Sequence, residues 1–220
     1  MISKQPIRIV DRMLIFVYEN RVNTSTSGFP PSLNKRFLQQ ATQILIHCIL
    51  FHEIFDNTMA FPRQISAEEL QRSLHSAADR LGINDFHPQQ RSALEAFLRG
   101  HDVFVNLPTG FGKSLIFQAA PFCWDFLRQS AGSIAIVISP LTALMHDQLN
   151  SLKRKGISAA CLTRDTTPET KSAINKGQFS LVYASPEAMS VSARALLSTD
   201  VYKKNLCGIF VDESHCIKKW

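Results

Sequence analysis

From Ser66 onward, short apolar runs alternate with segments of helical pattern, and this alternation restricts the fold more than any other feature of the sequence. The run SIAIVIS, residues 133–139, is almost continuously apolar, which is typical of a parallel strand covered on both faces. The other strand-like runs are DVFVNL (102–107), AACLT (159–163), SLVYAS (180–185) and CGIFVDE (207–213). Strands that alternate with helices predict an α/β fold with a doubly wound parallel sheet.

Two helices are predicted before the first of these strands. SAEE is a capping box with Ser66 at the N-cap and Glu69 three residues later, and it opens a helix that runs towards Leu81. A second helix has Pro88 in its first turn and ends at Gly100. Both belong to the regular region that begins at Ser66.

Residues 1–65 differ in character and are interpreted as an N-terminal extension without a chemical motif. Apolar residues at three- and four-residue spacing predict a helix from Leu33 to about Phe55, after the turn-rich link NTSTSGFPPS. The domain division is therefore an extension over 1–65 and a main domain over 66–220. We expect the extension to be dispensable for the chemistry of the main domain.

Composition limits the partners only loosely. Lys and Arg total 24 against 18 for Asp and Glu, a net charge of +6 that permits a nucleic-acid partner without requiring one. The five cysteines have no C-x-x-C spacing, so we expect reduced, buried thiols in an intracellular protein. No signal-peptide pattern is present, and the most apolar segment, ILIHCILF, is far shorter than the roughly 20 residues of a membrane helix. We therefore expect no membrane partner.

The stretch LPTGFGKS lies directly after one predicted strand and before a helix, which is the position of a phosphate-binding loop. Gly110 and Gly112 allow a tight turn that directs backbone N–H groups at phosphate oxygens, and the helix N-terminus adds positive potential. Lys113 would reach the β- and γ-phosphates, and the Ser114 hydroxyl would bind Mg²⁺. Leu107 stands where the usual signature has its first glycine.

The strand that ends in GIFVDESH supplies the acidic partners that such a loop needs. Asp212 would complete the Mg²⁺ shell, and Glu213 would polarise the attacking water. A strand that merely ends in a solvated acidic turn is the alternative. The phosphate-loop pattern earlier in the same α/β chain makes the catalytic interpretation the stronger one.

The pair TGFGKS and DESH resembles the nucleotide site of superfamily 2 helicases, whose loop often lacks the leading glycine. Three further stretches narrow the resemblance to RecQ-like DNA helicases: LGINDFHPQQ (81–90), SPLTALMHDQ (139–148) and YASPE (183–187). With DESHCIKKW they cover residues 66–220 in the family's order. The resemblance implies a RecA-like ATP-binding lobe, incomplete at its C-terminus, that belongs to a 3′–5′ DNA helicase of repair or recombination.

The resemblance also implies ATP and Mg²⁺ as cofactors and assigns roles to residues. Gln90 would hydrogen-bond the adenine edge, Phe86 would help to shape that pocket, and His215 would link the nucleotide site to DNA-facing motifs. The implied catalytic residues are Lys113, Asp212, Glu213 and His215, and the implied metal ligands are Ser114 and Asp212. The implied nucleotide-binding residues are Phe86, Gln90, Thr109, Gly110, Phe111, Gly112, Lys113 and Ser114.

DNA is the partner that the resemblance implies, as a single strand or tailed duplex bound without regard to sequence. Ser139 and Pro140 would contact a phosphate at a strand end, and Thr163 and Arg164 would do so one strand along. An ordinary solvated loop charge remains an equal alternative for Arg164. A nuclear location is implied if the source is eukaryotic.

The match ends at Trp220, so a second RecA-like lobe with its trans-acting arginine is expected to be missing from this chain. We therefore expect a weak ATPase that does not unwind duplex DNA by itself. A truncated product, part of a longer protein and a regulator all remain open. A non-catalytic module that binds ATP and nucleic acid is the alternative function, whereas SPLTALMHDQ and DESH argue against an unrelated P-loop kinase or GTPase.

Overall fold

A computed structural model describes residues 65–108 and 110–212, together with the backbone of residues 13–17. Its strands are β1 (Met13–Val17), β2 (Val103–Asn106), β3 (Ile134–Ile138), β4 (Ala159–Leu162), β5 (Leu181–Ala184) and β6 (Leu206–Val211). Its helices are α1 (Ala67–Leu81), α2 (Pro88–Leu98), α3 (Ser114–Arg128), α4 (Thr142–Arg154), α5 (Pro168–Asn175), α6 (Pro186–Leu197) and α7 (Asp200–Asn205). The helix predicted from Leu33 to Phe55 lies outside the described residues.

The six strands form one parallel sheet in the order β2-β1-β6-β3-β5-β4. Each strand from β2 to β5 leads into a helix, which confirms the predicted α/β fold with a parallel sheet. The five strands predicted from apolar runs are all present. The additional strand is β1, which lies inside the sheet between β2 and β6 and was not predicted from the sequence.

Two hydrophobic clusters cover the two faces of the sheet. The larger cluster joins buried residues of α1, α2, α3 and α4 to one face, with Phe97, Phe117, Tyr183 and Phe210 among its largest side chains. The smaller cluster packs α5, α6 and α7 on the other face around Ile136, Val182 and Tyr202. The sheet is therefore buried on both sides, as the continuous apolar strand β3 predicts.

Helix α1 begins as predicted. The Ser66 hydroxyl accepts a hydrogen bond from the Glu69 N–H at 3.1 Å, and the Glu69 carboxylate accepts one from the Ser66 N–H at 3.1 Å. Gly82 ends the helix with φ +65°, in the left-handed region that suits glycine. This helix packs on α3, where the buried Cys123 thiol lies 3.6 Å from the Ser73 carbonyl oxygen.

Among the described residues, no helix combines the length and the apolar character needed to cross a bilayer. The three cysteines in this part of the chain, Cys123, Cys161 and Cys207, are buried and form no disulfide with one another. Burial raises the pKa of the Cys161 thiol to about 11 and that of Cys123 to about 12.

Candidate nucleotide site

The phosphate-type loop connects the end of β2 to the start of α3. Gly110 and Gly112 have φ values of +83° and +66°, so both adopt the left-handed conformation for which the sequence supplies glycine. A Cβ atom at Gly112 would lie 2.8 Å from the Gln90 Nε2, closer than real Cβ contacts, whereas one at Gly110 would meet no heavy atom within 4 Å. Both glycines therefore allow the turn, and at Gly112 the absence of a side chain also leaves room for the Gln90 amide.

The loop closes around the amino group of Lys113. The Lys113 Nζ donates hydrogen bonds to the carbonyl oxygens of Leu107 at 2.9 Å and Pro108 at 3.1 Å. These two bonds hold the cation against the first residues of the loop, and its predicted contact with a phosphate stays a prediction. Leu107, which replaces the usual glycine, is buried and contributes its backbone carbonyl rather than conformational freedom.

Gln90 fastens the loop to helix α2. Its side-chain Nε2 donates to the carbonyl oxygens of Phe111 at 2.7 Å and Gly112 at 3.1 Å, and its Oε1 accepts from the His87 N–H at 2.9 Å. The residue is 2% exposed. Recognition of adenine by Gln90 would need an exchange of these bonds, so that role stays a prediction, and the geometry gives Gln90 a loop-supporting role that the sequence analysis did not foresee.

Helix α2 also contacts the strand that carries the acidic residue. The Phe97 ring lies 5.0 Å, centroid to centroid, from the Phe210 ring of β6 and fills the space beside Gly208. A Cβ atom at Gly208 would overlap the Phe97 ring. One helix therefore contacts the loop at its N-terminal end through Gln90 and strand β6 near its C-terminal end through Phe97.

Asp212 lies at the carboxyl end of β6, partly exposed. Its N–H donates to the Ile138 carbonyl oxygen at 2.8 Å, and the Ser139 N–H donates to the Ala184 oxygen at 3.0 Å. The ends of β6, β3 and β5 are thereby held side by side. Since β2 ends at the same edge, the sheet brings the carboxylate and the loop to one side of the molecule.

A hydroxyl at Ser114 and a carboxylate at Asp212 are hard oxygen donors of the kind that Mg²⁺ prefers. Both residues are partly exposed, at the start of α3 and the end of β6 respectively. The donor set therefore fits the predicted metal. Thr109, Glu213 and His215 lie outside the described residues, so their predicted roles stay predictions.

Two of the residues predicted to contact the nucleotide, Phe86 and Phe111, differ in how exposed their side chains are. Phe86 is 4% exposed and its N–H donates to the Asp85 Oδ1 at 2.7 Å, whereas Phe111 is 44% exposed at the tip of the loop. The backbone hydrogen bond from Phe86, more than the nearby Arg91, holds the pKa of the Asp85 carboxyl below its usual value. Phe86 thus shapes the segment before α2 from inside, while Phe111 is available at the surface.

The residues predicted to contact DNA differ in how exposed they are. The Ser139 side chain is 2% exposed, and its hydroxyl has no hydrogen-bond partner among the described residues, so a direct contact from this hydroxyl to a phosphate would require it to leave the interior. Pro140 and Thr163 are half-buried, and Arg164 is exposed. The Thr163 N–H donates to the Thr166 Oγ1 at 2.7 Å, which fixes the turn that presents Arg164.

A part-buried glutamine pair that joins α3 to α4 was missed by the sequence analysis. Gln118 of α3 donates from Nε2 to the Oε1 of Gln148 in α4 at 2.6 Å, and Gln118 is 5% exposed. The Tyr183 hydroxyl is buried nearby and makes no hydrogen bond of good geometry within the described part. Burial raises the pKa of Tyr183, the neighbouring Gln118 amide opposes this, and Asp212 adds to it. The sequence signal that could have indicated this pair is the presence of a glutamine among the apolar residues of α3.

A family model described as DEAD/DEAH box helicase matches residues 87–220 of this chain. The chain is 39% identical over 144 residues to the ATP-dependent DNA helicase RecQ of Haemophilus influenzae, and the aligned region covers 63% of this chain and 22% of that protein. It is 36% identical over 156 residues to the enzyme of the same name from Synechocystis, with 68% and 31% covered. It is 32% identical over 161 residues to the RecQ-like DNA helicase blm-1 of Caenorhabditis elegans, with 70% and 15% covered.

The chain thus spans less than a third of the length of these curated relatives. The matched region contains the loop, both ends of helix α2 and the acidic strand, all parts of the site described above. Together, the parallel sheet, the glycine loop around Lys113 and a family match over more than half of the chain lead to one conclusion. The chain belongs to the DEAD/DEAH box helicase family and carries a RecQ-like N-terminal lobe.

Proposed function

We propose that this lobe binds ATP with Mg²⁺ at the carboxyl edge of the sheet and contacts the backbone of DNA there. The observation that carries the proposal is the loop of Leu107, Pro108 and two left-handed glycines folded around the Lys113 ammonium. Backbone N–H groups at the start of α3 and this cation offer complementary charge to a triphosphate. Ser114 and Asp212 would hold Mg²⁺, which supplies charge neutralisation of the phosphates when bound.

The proposed division of labour follows from chemistry. Lys113 would bind and orient the terminal phosphates, and Glu213 would accept a proton from, or polarise, the attacking water. In P-loop enzymes a trans-acting arginine is worth roughly 10³ to 10⁵ in turnover. The family resemblance implies that this arginine belongs to a second lobe, so we propose that the lobe described here, taken alone, hydrolyses ATP slowly and does not separate duplexes, and that a motor containing it has 3′–5′ polarity.

The DNA contact is proposed to be weak, salt-sensitive and indifferent to sequence. Of the predicted residues, Arg164 offers a cation and Thr163 a hydroxyl to phosphates, whereas Pro140, which lacks an N–H, can only pack against the DNA backbone; none of the three provides a surface that reads bases. Single strands and tailed duplexes should therefore bind through the same electrostatic attraction to the phosphate backbone. A strong preference for one base sequence at moderate salt would contradict this proposal.

The test compares Mg²⁺-ATP titrations of the parent chain, Lys113→Ala and Lys171→Ala. Removal of the Lys113 ammonium should weaken binding at least severalfold because a charge-assisted contact to phosphate is lost in a partly desolvated site. Lys171 is an exposed lysine of α5, so its removal changes the net charge equally but should leave affinity unaltered. Equal ATP affinity of the parent and Lys113→Ala would overturn the proposal, and binding without measurable turnover, with or without single-stranded DNA, would favour the non-catalytic alternative.

A further inference from the structure

The buried hydroxyl of Ser139 has no role in the function proposed above. The residue directly follows β3 and is 2% exposed, and its Oγ makes no hydrogen bond within the described part of the chain. Buried hydroxyl groups in folded proteins nearly always have a partner, because an unpaired one destabilises the folded chain. The position of this hydroxyl would be explained by a partner that it meets during function.

The register of the sheet places Ser139 beside Asp212. Val137 of β3 is opposite Phe210 of β6, and both side chains belong to the larger hydrophobic cluster. Ser139 and Asp212 follow two residues later, so they share that face of the sheet. The pairing still holds at this point, because the Asp212 N–H donates to the Ile138 carbonyl oxygen at 2.8 Å. Since neighbouring strands lie about 4.8 Å apart, the hydroxyl and the carboxylate start from adjacent positions.

The charge of Asp212 reaches the same face of the sheet. Tyr183 of β5 is opposite Val137 and belongs to the same cluster, and its buried hydroxyl also has no hydrogen-bond partner among the described residues. Burial is the main cause that raises the pKa of Tyr183, and the nearby Asp212 carboxylate raises it further. Two unpaired hydroxyls thus lie near one carboxylate, and Ser139 is the nearer of the two by one strand.

We propose that Ser139 is a positioning residue whose hydroxyl donates a hydrogen bond to the Asp212 carboxylate when that carboxylate binds Mg²⁺. Carboxylates that bind metals are usually hydrogen-bonded in turn, and these bonds orient the oxygen that faces the metal. A hydrogen bond to a charged acceptor is also about twice as strong as one between neutral groups. The inference rests on the proposed function, because Asp212 is assigned there to Mg²⁺.

Two other partners fit the Ser139 hydroxyl less well. Ser185, on the β5 side of Ser139, is neutral, and its hydroxyl already accepts the Ala188 N–H at 3.2 Å. A DNA phosphate would have to reach a side chain that is 2% exposed, whereas Asp212 lies within the same sheet. We therefore assign Ser139 to the proposed metal site rather than to DNA.

The first experiment titrates ATP into the parent chain, Ser139→Ala and Ser133→Ala, each with Mg²⁺ and with EDTA. Ser133 is the matched control, since its hydroxyl is similarly buried and unpaired within the described part but directly precedes β3, at the other end of the strand. Ser139→Ala should reduce the gain in ATP affinity that Mg²⁺ provides by about threefold to tenfold and leave the affinity in EDTA unchanged. Ser133→Ala should change neither quantity.

Two further measurements distinguish a positioning role from a purely structural one. Ser139→Thr keeps the hydroxyl and should retain most of the Mg²⁺ gain. Without ligands, Ser139→Ala should unfold at the same or a slightly higher urea concentration, because no hydrogen bond is lost. An unchanged Mg²⁺ gain in Ser139→Ala, an equal loss in Ser133→Ala or a lower urea midpoint for Ser139→Ala would overturn the proposal.

Titrations with single-stranded DNA in the absence of nucleotide separate the two assignments of Ser139. Ser139→Ala should bind DNA with the parental affinity, because the hydroxyl is assigned to the interior. A fall in DNA affinity together with an intact Mg²⁺ gain would overturn the proposal and favour the DNA contact.

Mn²⁺ alone, followed by the relaxation of water protons, tests the metal site without ATP. Binding by the parent should be lost in Asp212→Asn, weakened in Ser139→Ala and unchanged in Ser133→Ala. If the parent binds no ATP but these Mn²⁺ results hold, the proposed function fails and the positioning role stands. Mn²⁺ binding that depends on Asp212 but not on Ser139 would overturn the inference alone, and binding of neither ATP nor Mn²⁺ would overturn both.

Discussion

Four helices begin at the carboxyl edge of the sheet, and they begin in two different ways. Helices α5 and α6 start with Thr167 and Ser185, whose hydroxyls accept hydrogen bonds from the N–H groups of Thr170 at 3.3 Å and Ala188 at 3.2 Å. Helices α3 and α4 start with Lys113 and Leu141 at the N-cap. These two side chains contain no hydrogen-bond acceptor and cannot cap a helix.

The difference follows the order of the strands. The two helices without a side-chain cap follow β2 and β3, which lie on either side of the β1–β6 pair that ends at Asp212. The two capped helices follow β5 and β4, at the far end of the sheet. A side-chain cap satisfies one or two of the first-turn N–H groups of a helix, whereas a start without such a cap leaves more of them for backbone carbonyls, water or an external anion. Helices α5 and α6 thus begin with side-chain caps that stabilise the fold, whereas α3 and α4 begin without such caps at the part of the sheet where phosphate binding is proposed.

The largest effect is expected from Gly112→Ala at the start of α3. An alanine at φ +66° costs about 1–2 kcal/mol, and its Cβ would also displace the Gln90 amide from the loop, so ATP affinity should fall by about tenfold. Gly110→Ala is the matched control, since φ is +83° but no heavy atom lies within 4 Å of its Cβ. Equal losses for both variants, measured by ATP titration, would show that turn strain rather than the Gln90 contact limits this site.

Leu141→Asp should convert the start of α4 into a capped one. Leu141 is 47% exposed and already has the extended backbone of an N-cap, so the variant should gain about 0.5–2 kcal/mol of stability from the new cap. The added negative charge should weaken single-stranded DNA binding by about threefold to tenfold at low salt because it repels phosphate.

Leu141→Asn provides the neutral control for that substitution. It should stabilise the chain to a similar degree and weaken DNA binding less than Leu141→Asp does, because it adds a cap without a charge. Thermal unfolding and salt-dependent DNA titrations give the two readouts. Unchanged DNA affinity for both variants would remove the start of α4 from the proposed DNA contact.

Thr167→Ala should remove a cap at the other end of the sheet without affecting ligands. Loss of the hydroxyl that accepts the Thr170 N–H should cost about 1 kcal/mol of stability. Ser172→Ala, an exposed change within the same helix, should cost little or slightly stabilise the chain because alanine favours helix. Urea unfolding measures both, and a parallel fall in ATP affinity for Thr167→Ala would contradict the distinction between the two ends.

The smallest effect concerns pH. The pKa of Glu169 in the first turn of α5 is lowered below its usual 4.5, first by its own backbone N–H and then by the Thr167 hydroxyl. A lowered folded-state pKa gives stability that is present above pH 4.5 and is lost as pH falls through the folded value. Glu169→Gln should therefore be slightly less stable at neutral pH and show a shallower loss on acidification. An acid-unfolding curve identical to that of the parent would contradict this.

The sequence predicts the strands and the loop because their determinants are local. Continuous apolar runs identify β2 to β6, and the glycines at 110 and 112 occupy the left-handed positions that the turn requires. Strand β1 was missed because five apolar residues before a turn-rich link do not indicate which strands they will join, and pairing is decided by the rest of the sheet. The burial of Ser139 follows from strand register, since it shares a face with the buried Val137.

The predicted role of Gln90 illustrates a second limit. An amide can pair with adenine or with backbone carbonyls, and its residue type does not distinguish these partners. In the folded chain all three of its hydrogen bonds are made to backbone groups of Phe111, Gly112 and His87. Only the position of α2 beside the loop reveals this.

The contact between Phe97 and Gly208 has a consequence for how this protein can vary. Because the Phe97 ring occupies the volume that any side chain at position 208 would need, the two positions form one steric unit. Related chains should therefore exchange the two together, with a smaller residue at 97 wherever a larger one stands at 208. A change at only one of the two positions would alter the packing of α2 against β6. Substitutions at positions 97 and 208 should therefore covary among related sequences.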